Sequence, residues 1–508
     1  MSHKKIFKNT LALYLRQIII ILITLYSMRV ILIELGVEDY GIYSVVTGFV
    51  TLLAFLPGSM ASATQRFFAF AMGKQDPERL QQTFSVNLVM YIAIALLAYT
   101  LLQTVGLWYV GEHLKMPDER ASAALALYHY ASLSFVFSIF TAPFIAILIA
   151  HEDMHLYAMI SVVDAVLKLA AAISLAYVSY DLLVYYGIAL LAVSVVIACA
   201  YVAICLKRYA ECQLRKLYWS SRLLKEIWSF TAWTLLGQIS TVFRNQAVTV
   251  LVNQMFNPAT VAARAIALSV AGQVAVFSNN LNTGLYPPII KSYAANQRDE
   301  MAGLVFNGSK LTFFLMWMFA LPIMLEMETI LRIWLETPPP EAVLFTRLAI
   351  VESLIMALSM PLATAARAPG RMALYETVLG SIQIAIFFMS WWVLSLGYAA
   401  ESVFYVAILA NLLMFKIRLL LVHRLTRLSV KGFYQKVVMP VLAVLVISAG
   451  ISYALFYFAT ESLLKSALTV IFSMTFSVLA MYFLGLDKFW RKKVLGVLVN
   501  KVSKIRWA

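Results

Sequence analysis

Runs of roughly twenty mostly apolar residues follow one another along the whole chain, with only short polar gaps between them, and nothing else in the sequence constrains the fold as strongly. A bilayer core about 30 Å thick is crossed by about 20 residues of α-helix. Inside it, each backbone N–H and C=O must find a partner within its own segment or a closed sheet. Water is not the solvent for most of such a surface: 62% of the 508 residues are apolar and 13% are charged, against about a quarter charged in soluble domains. About fourteen spans are expected, near residues 10–35, 41–68, 82–108, 121–149, 156–178, 183–206, 227–253, 260–289, 304–326, 342–366, 373–396, 400–422, 438–458 and 463–485. The chain therefore reads as an all-α integral membrane protein, with no connection long enough for a soluble catalytic domain. The opening MSHKKIFKNT precedes an apolar run longer than that of a signal peptide and without a small-residue cleavage site, so it is read as part of a retained first span.

A formal charge of +15 would suit nucleic acid if it were spread over one face. Instead the Lys and Arg residues gather at the N-terminus, in the even-numbered connections and in the tail, with loop clusters at 207–225 and 416–436. The other side carries only Lys115, Arg120, Arg332, Arg347 and Lys465. By the positive-inside bias both termini are expected in the cytoplasm, which an even number of spans requires. No nucleic-acid partner is expected. Cys199, Cys205 and Cys212 give neither a disulfide framework nor a C-x-x-C zinc pair.

The chain also repeats itself. A gap-free offset of 221 lays Thr10, Gln17 and Thr24 on Thr231, Gln238 and Asn245. Residues seven apart keep to one helix face with about 20° of drift per step, so the first and seventh spans carry the same polar stripe. An offset of 218 lays Pro143 on Pro361 and Leu156-Tyr157 on Leu374-Tyr375. Six spans separate the copies, which makes the repeat parallel, an arrangement found in carriers. The expected organisation is an N-terminal lobe (1–222), a C-terminal lobe (223–437), a final helix pair without counterpart (438–486) and a basic amphipathic tail (487–508) suited to an anionic leaflet.

Charges inside a bilayer are costly and normally face a bundle interior or a cavity. Arg16 lies about 100° to one side of the first stripe, and Arg244 about 120° to the same side of the second. Arg29 falls on the opposite flank, near enough to the span end to snorkel. Arg66 and Arg264 read equally as span-end anchors or as ligands. Arg16, Arg66, Arg244 and Arg264, with Gln17, Thr24, Gln238 and Asn245, form the expected substrate-binding set, a cationic lining whose guest is an anion such as a diphosphate. Glu352 and Asp164 are candidates for coupling to a proton or sodium gradient. The competing readings are that Glu352 partners an arginine and that Asp164 neutralises Lys168 four residues on. Glu376 lies near the end of the eleventh span.

HEDMH at 151–155 matches a zinc-protease pattern, but it sits in a tight turn rather than on a continuous helix and has no evident third ligand. No metal, cofactor or catalytic residue is expected. Pro57-Gly58, Pro143, Pro287-Pro288 and Pro361 interrupt spans and serve either as gating bends or as packing kinks.

The opening NTLALYLRQIIIILITLYSMRVILIELGVEDYGIYSVVTGFV, with its LGVEDYGIYSVV turn into the second span, resembles the polysaccharide-transporter (Wzx-type) branch of the multidrug/oligosaccharidyl-lipid/polysaccharide (MOP) flippase superfamily. SFTAWTLLGQIS, at the start of the second half, is similar to the same branch. The resemblance implies a MATE-like fold. It also implies a flippase that moves a polyprenyl (undecaprenyl)-diphosphate-linked oligosaccharide from the cytoplasmic to the periplasmic leaflet of a bacterial inner membrane, for O-antigen, capsule or exopolysaccharide synthesis. Its partners would be that glycan, membrane lipids and other polysaccharide-assembly proteins. The resemblance further implies a cationic cavity shaped by the first, second, seventh and eighth spans, on which the four arginines lie. The alternatives are a peptidoglycan lipid-precursor flippase and a MATE-like drug or metabolite antiporter. A polysaccharide polymerase or ligase would need an outer loop longer than any present.

Overall fold

The structure is a computed structural model and describes residues 3–51, 55–108, 110, 118–214, 216–335, 337–458, 463–487 and 491. The basic tail expected at 487–508 lies almost wholly outside the described residues, as does Lys115. Among the described residues the chain is entirely helical, with sixteen α-helices and no strand.

The first helix, α1 (His3–Thr51), is two helical rods joined at Gly36, whose φ of 75° and ψ of 171° interrupt the helix. Only glycine enters this region freely. The interruption divides the first expected span from the second. Three residues on, Asp39 meets Arg120, which also binds Asp181 (2.5 and 2.6 Å), so the LGVEDYG turn is pinned to the starts of two later helices. The first half continues with α2 (Phe55–Lys74), α3 (Pro77–Leu101), α4 (Ala121–Ala150), α5 (Met154–Ser174) and α6 (Leu182–Arg208). Asp76 caps α3 by accepting from Arg79 N, and Asp181 caps α6 by accepting from Leu183 N and Val184 N, each satisfying donors that a helix start leaves open.

The second half holds α7 (Ser221–Met255), α8 (Pro258–Ala294), α9 (Arg298–Leu325), the short α10 (Met327–Leu335), α11 (Ala342–Arg367), α12 (Ala373–Ser395) and α13 (Ser402–Thr426). The one-turn α14 (Val430–Phe433) leads into α15 (Met439–Phe458), and α16 (Leu463–Ala480) follows. Twelve described helical segments are long and apolar enough to cross a membrane. The expected spans at 41–68 and 227–253 are not among them. The first includes residues 52–54, which are not described. The second lies in α7, whose Thr231, Thr234, Gln238, Ser240, Thr241, Arg244, Asn245 and Gln246 make it too polar to qualify.

Two compact units partition the chain: unit 1 is Met1–Gln238 with Tyr286–Gln297, and unit 2 is Ile239–Leu285 with Arg298–Ala508. Both α7 and α8 contribute to both units. In unit 1 one apolar cluster gathers around Tyr91, Leu127, Tyr128 and Ile139. A second gathers around Phe68, Phe84, Phe144 and Ile147. In unit 2 the final helices pack on α9. Trp317 Nε1 donates to Ser448 Oγ (2.9 Å), Gly485 admits the ring of Phe314, and the buried Lys310 donates to Asp487 (3.3 Å). Lipid tails are as apolar as leucine, so such close packing and hydrogen bonding hold membrane helices together.

The repeat is written in the backbone. Gln75 and Asn296, 221 apart, are both left-handed (φ 55° and 59°). Both end a helix with the same pair of bonds: Gln75 N to Met72 O and Asp76 N to Ala71 O, then Asn296 N to Tyr293 O and Gln297 N to Ser292 O. Glu152 and Gly370, 218 apart, are left-handed as well (φ 63° and 82°).

Candidate functional site

A cavity of about 800 Å³ opens within unit 1 between α1, α4, α5 and α6. Gln17 and Thr24 of the α1 polar stripe line the wall together with the flanking Arg16, joined by Asp164 and Lys168 of α5. The Arg16 guanidinium lies over the Tyr157 ring at 4.7 Å, a cation–π geometry that fixes the head group at the wall. Lys168 Nζ donates to Asp164 Oδ2 at 2.8 Å. The charged lining thus comprises two cations and one carboxylate. The rest is the Gln17 amide and apolar, tyrosyl or hydroxyl groups, and Ser27, Thr47, Ser161 and Ser194 each donate to a carbonyl of their own helix. Their oxygens remain as acceptors. Tyr40, Tyr43 and Tyr186 group toward the Gly36 turn, with the Tyr43 and Tyr186 ring centroids 5.2 Å apart.

Unit 2 assembles a different constellation. Arg244 Nη1 donates to Glu352 Oε1 (2.7 Å), and the same oxygen accepts from Asn411 Nδ2 (3.0 Å). Arg244 Nη2 also donates to Asn245 Oδ1 (2.8 Å). Arg264 lies over the Phe404 ring (5.5 Å), its Nε donates to Thr249 Oγ1 (3.4 Å), and it interacts electrostatically with both Arg244 and Glu352. Glu376 is buried on α12, and Gln238 is exposed on α7.

Arg66 is placed differently from either group. It is buried in unit 1 against the rings of Phe67, Phe70 and Phe230 (4.6, 4.7 and 5.8 Å) and is absent from the cavity wall. Arg29 is exposed and also off the wall. Three contributors are not apparent from the polar stripes. Tyr157 is visible in the sequence only as a repeat marker, Asn411 carries no signal of its own, and Lys310 is marked by its charge inside the span 304–326.

The HEDMH turn is committed to ion pairs. His151 Nε2 sits 2.5 Å from Glu211 Oε1, and its ring stacks on Tyr209 at 4.1 Å. Glu152 binds Lys291 (2.7 Å). Asp153 accepts from Arg208 Nε (3.0 Å) and Tyr209 Oη (2.7 Å). Burial alone would raise the Asp153 carboxyl, but the bonds from Tyr209 and Arg208 outweigh it and hold the group below its ordinary value. Among the described residues no group of three or more His, Cys, Asp or Glu side chains is arranged to hold a metal ion.

A long helical chain built as two parallel copies, with a polar cavity among apolar helices, has the architecture of a membrane carrier. The MatE family model matches residues 13–174 and 234–392, two segments that start 221 apart and end 218 apart, the offsets of the internal repeat. The chain belongs to the MatE family of membrane transporters, within the MOP superfamily. Its fold is similar to that of a multidrug-resistance MATE transporter in an outward-facing conformation (TM-score 0.71, 16% identity, covering 84% of this chain and 96% of that one). It is also similar to a MATE in the straight conformation (TM-score 0.68, 14% identity, 84% and 97%). A MOP superfamily transporter from Pyrococcus furiosus, described as having a binding pocket of reversed polarity that suggests a different function, aligns over 97% of this chain and 96% of its own (TM-score 0.59, 15% identity). No curated protein matches the sequence.

Proposed function

We propose that the chain is an alternating-access exporter whose cargo is an amphiphilic organic anion. The observation that carries this reading is the unit 1 cavity, where Arg16 and Lys168 stand against Asp164 in a wall otherwise uncharged, of apolar, tyrosyl and hydroxyl groups and the Gln17 amide. A guanidinium binds phosphate or carboxylate through charge-assisted, often bidentate bonds, and apolar surroundings strengthen that attraction. The LGVEDYGIYSVV and SFTAWTLLGQIS segments support a polyprenyl-diphosphate-linked oligosaccharide as the cargo, moved from the cytoplasmic to the periplasmic leaflet of a bacterial inner membrane. Both termini are then cytoplasmic, as the distribution of Lys and Arg supports.

The second reading is drug or metabolite antiport coupled to protons or sodium. Family membership favours it, as does Asp164 on the wall, since a carboxylate there binds a cation or a proton. Reconstituted vesicles decide between the two. A labelled lipid-linked diphosphate oligosaccharide, an anionic dye and a cationic dye are offered in turn, with leaflet- or lumen-resolved detection. Movement of an anionic cargo that is lost in Arg16→Ala and kept in Asp164→Asn is expected. Movement of the cationic dye alone, lost in Asp164→Asn, would replace the proposal with the antiporter.

A further inference from the structure

Helix α8 is one helix, yet its last turns belong to unit 1 while the rest belongs to unit 2. The change of allegiance falls between Leu285 and Tyr286, directly before Pro287-Pro288, where two backbone donors are missing. Around and beyond it, three contacts hold the segment to unit 1. Tyr286 Oη donates to Ser62 O (2.9 Å). Gly73 lets α2 and α8 approach so closely that an added Cβ would fall 2.6 Å from Lys291 O and 2.8 Å from Ala294 Cβ. Lys291 Nζ donates to Glu152 Oε1 at 2.7 Å, with the glutamate side chain only 3% exposed.

Glu152 is the unexpected member. Its φ of 63° is the left-handed conformation, which costs an L-residue about 1–2 kcal/mol. The other copy of the repeat has Gly370 in the same place, at φ 82°, and closes the same turn: Glu152 N bonds to Ile149 O as Gly370 N bonds to Arg367 O. The turn therefore forms with no side chain at that position. Lys291 has Phe70 as its counterpart 221 residues earlier, so the repeat-related pair of positions, Phe70 and Gly370, carries neither half of the ion pair. The neighbours of Glu152 are engaged elsewhere, His151 with Glu211 and Asp153 with Arg208 and Tyr209. A side chain kept at a strained position that works as glycine points to a role for that side chain.

We infer that Glu152 and Lys291 form a latch that holds the last turns of α8 against α2 and the 151–153 turn, and that its release is a step of the transport cycle. This rests on the alternating-access reading. The test uses the full chain in lipid nanodiscs, with Cys199, Cys205 and Cys212 replaced by alanine. Spin labels on Lys74→Cys and Ala295→Cys, both exposed, report the separation of the two helix ends by pulsed electron resonance.

In Glu152→Gly the turn keeps its conformation, so the thermal midpoint is expected to stay or rise while a longer-distance population grows several-fold. Lys291→Glu is expected to show the same longer-distance population with a lowered midpoint, because two carboxylates then face each other, and the swap Glu152→Lys with Lys291→Glu to restore the parental distances. A parental distance distribution in both Glu152→Gly and Lys291→Glu would overturn the latch, as would a lowered midpoint in Glu152→Gly without a longer-distance population, which marks a packing role. Absence of transport for every cargo in the parent protein would instead remove the alternating-access reading, while the distances still decide the latch.

Discussion

Arg244 is buried on a helix that is read as crossing a membrane, and a charge in that setting is tolerated only when a partner supplies what water would have supplied. Glu352 and Asn411 do so through one carboxylate oxygen, with Arg264 close enough to feel both charges. Removing the anion alone leaves the buried Arg244 without the carboxylate it pairs with. Glu352→Ala is therefore expected to destabilise by about 3–5 kcal/mol, whereas Arg244→Met with Glu352→Met comes close to neutral. Thermal unfolding in detergent reads both. The charges at 244 and 352 are visible in the sequence, but their pairing across 108 residues is not, because a list of spans does not say which helices are neighbours. The Arg120–Asp39–Asp181 clamp gives a pH prediction. Burial pushes the Asp181 carboxyl up, but bonds from Arg120 and from the Val184 and Leu183 amides win and leave it below its ordinary 3.8. A depressed carboxylate stabilises fully above its unfolded value and loses that contribution as pH falls through the folded one. The difference in melting temperature between the parent and Asp181→Asn should be constant from pH 7 to about 5 and shrink below about pH 4.

At the scale of elements, the spans are legible because hydrophobic length is nearly the whole code for a membrane helix, whereas their ends depend on single residues of unusual conformation. Gly36 is the clearest. No atom from elsewhere in the fold lies within 4 Å of a Cβ placed there, so the effect of substitution is one of local backbone conformation alone. Gly36→Ala and Gly36→Asn are each expected to cost about 1–3 kcal/mol, because φ 75° with ψ 171° lies outside the left-handed helical region that asparagine tolerates, in one that only glycine enters freely. A melting temperature unchanged from the parent in both variants would show that the rods of α1 join without needing that conformation. The left-handed ends at Gln75 and Asn296 are harder to read from sequence, because neither is glycine. Only their separation of 221 marks them as one feature occurring twice. The polar α7 shows the opposite limit: its helix is predictable from the repeat, although its composition alone does not qualify it as a span.

Across the whole molecule the two copies share a scaffold and divide the chemistry. Arg16, Asp164 and Lys168 on the unit 1 cavity wall have Gly237, Ile382 and Ile386 as their counterparts, while Arg244 and Glu352 of unit 2 have Ile23 and Ser134. Those last two line the unit 1 cavity. The ion pair of one unit therefore stands where the other keeps an isoleucine and a serine at an open wall, and the repeat predicts how to exchange the two arrangements. Ile23→Arg with Ser134→Glu brings the pair to unit 1, on helices whose counterparts already hold it at 2.7 Å. The double variant is expected to reach the membrane at normal levels and melt near the parent, since a charge introduced with its partner avoids the penalty of an unpaired one. Its added side chains occupy the cavity, and its glutamate competes with an anionic cargo for Arg16, so transport of that cargo should fall at least about ten-fold, the effect of losing one charge-assisted hydrogen bond of 1.5–3 kcal/mol. Ile23→Leu with Ser134→Ala alters the same positions without charge and should transport within a factor of about two, since volume-conserving apolar exchanges are well tolerated. Undiminished transport in the charged double variant, at normal expression, would mean that cargo does not pass through the unit 1 cavity.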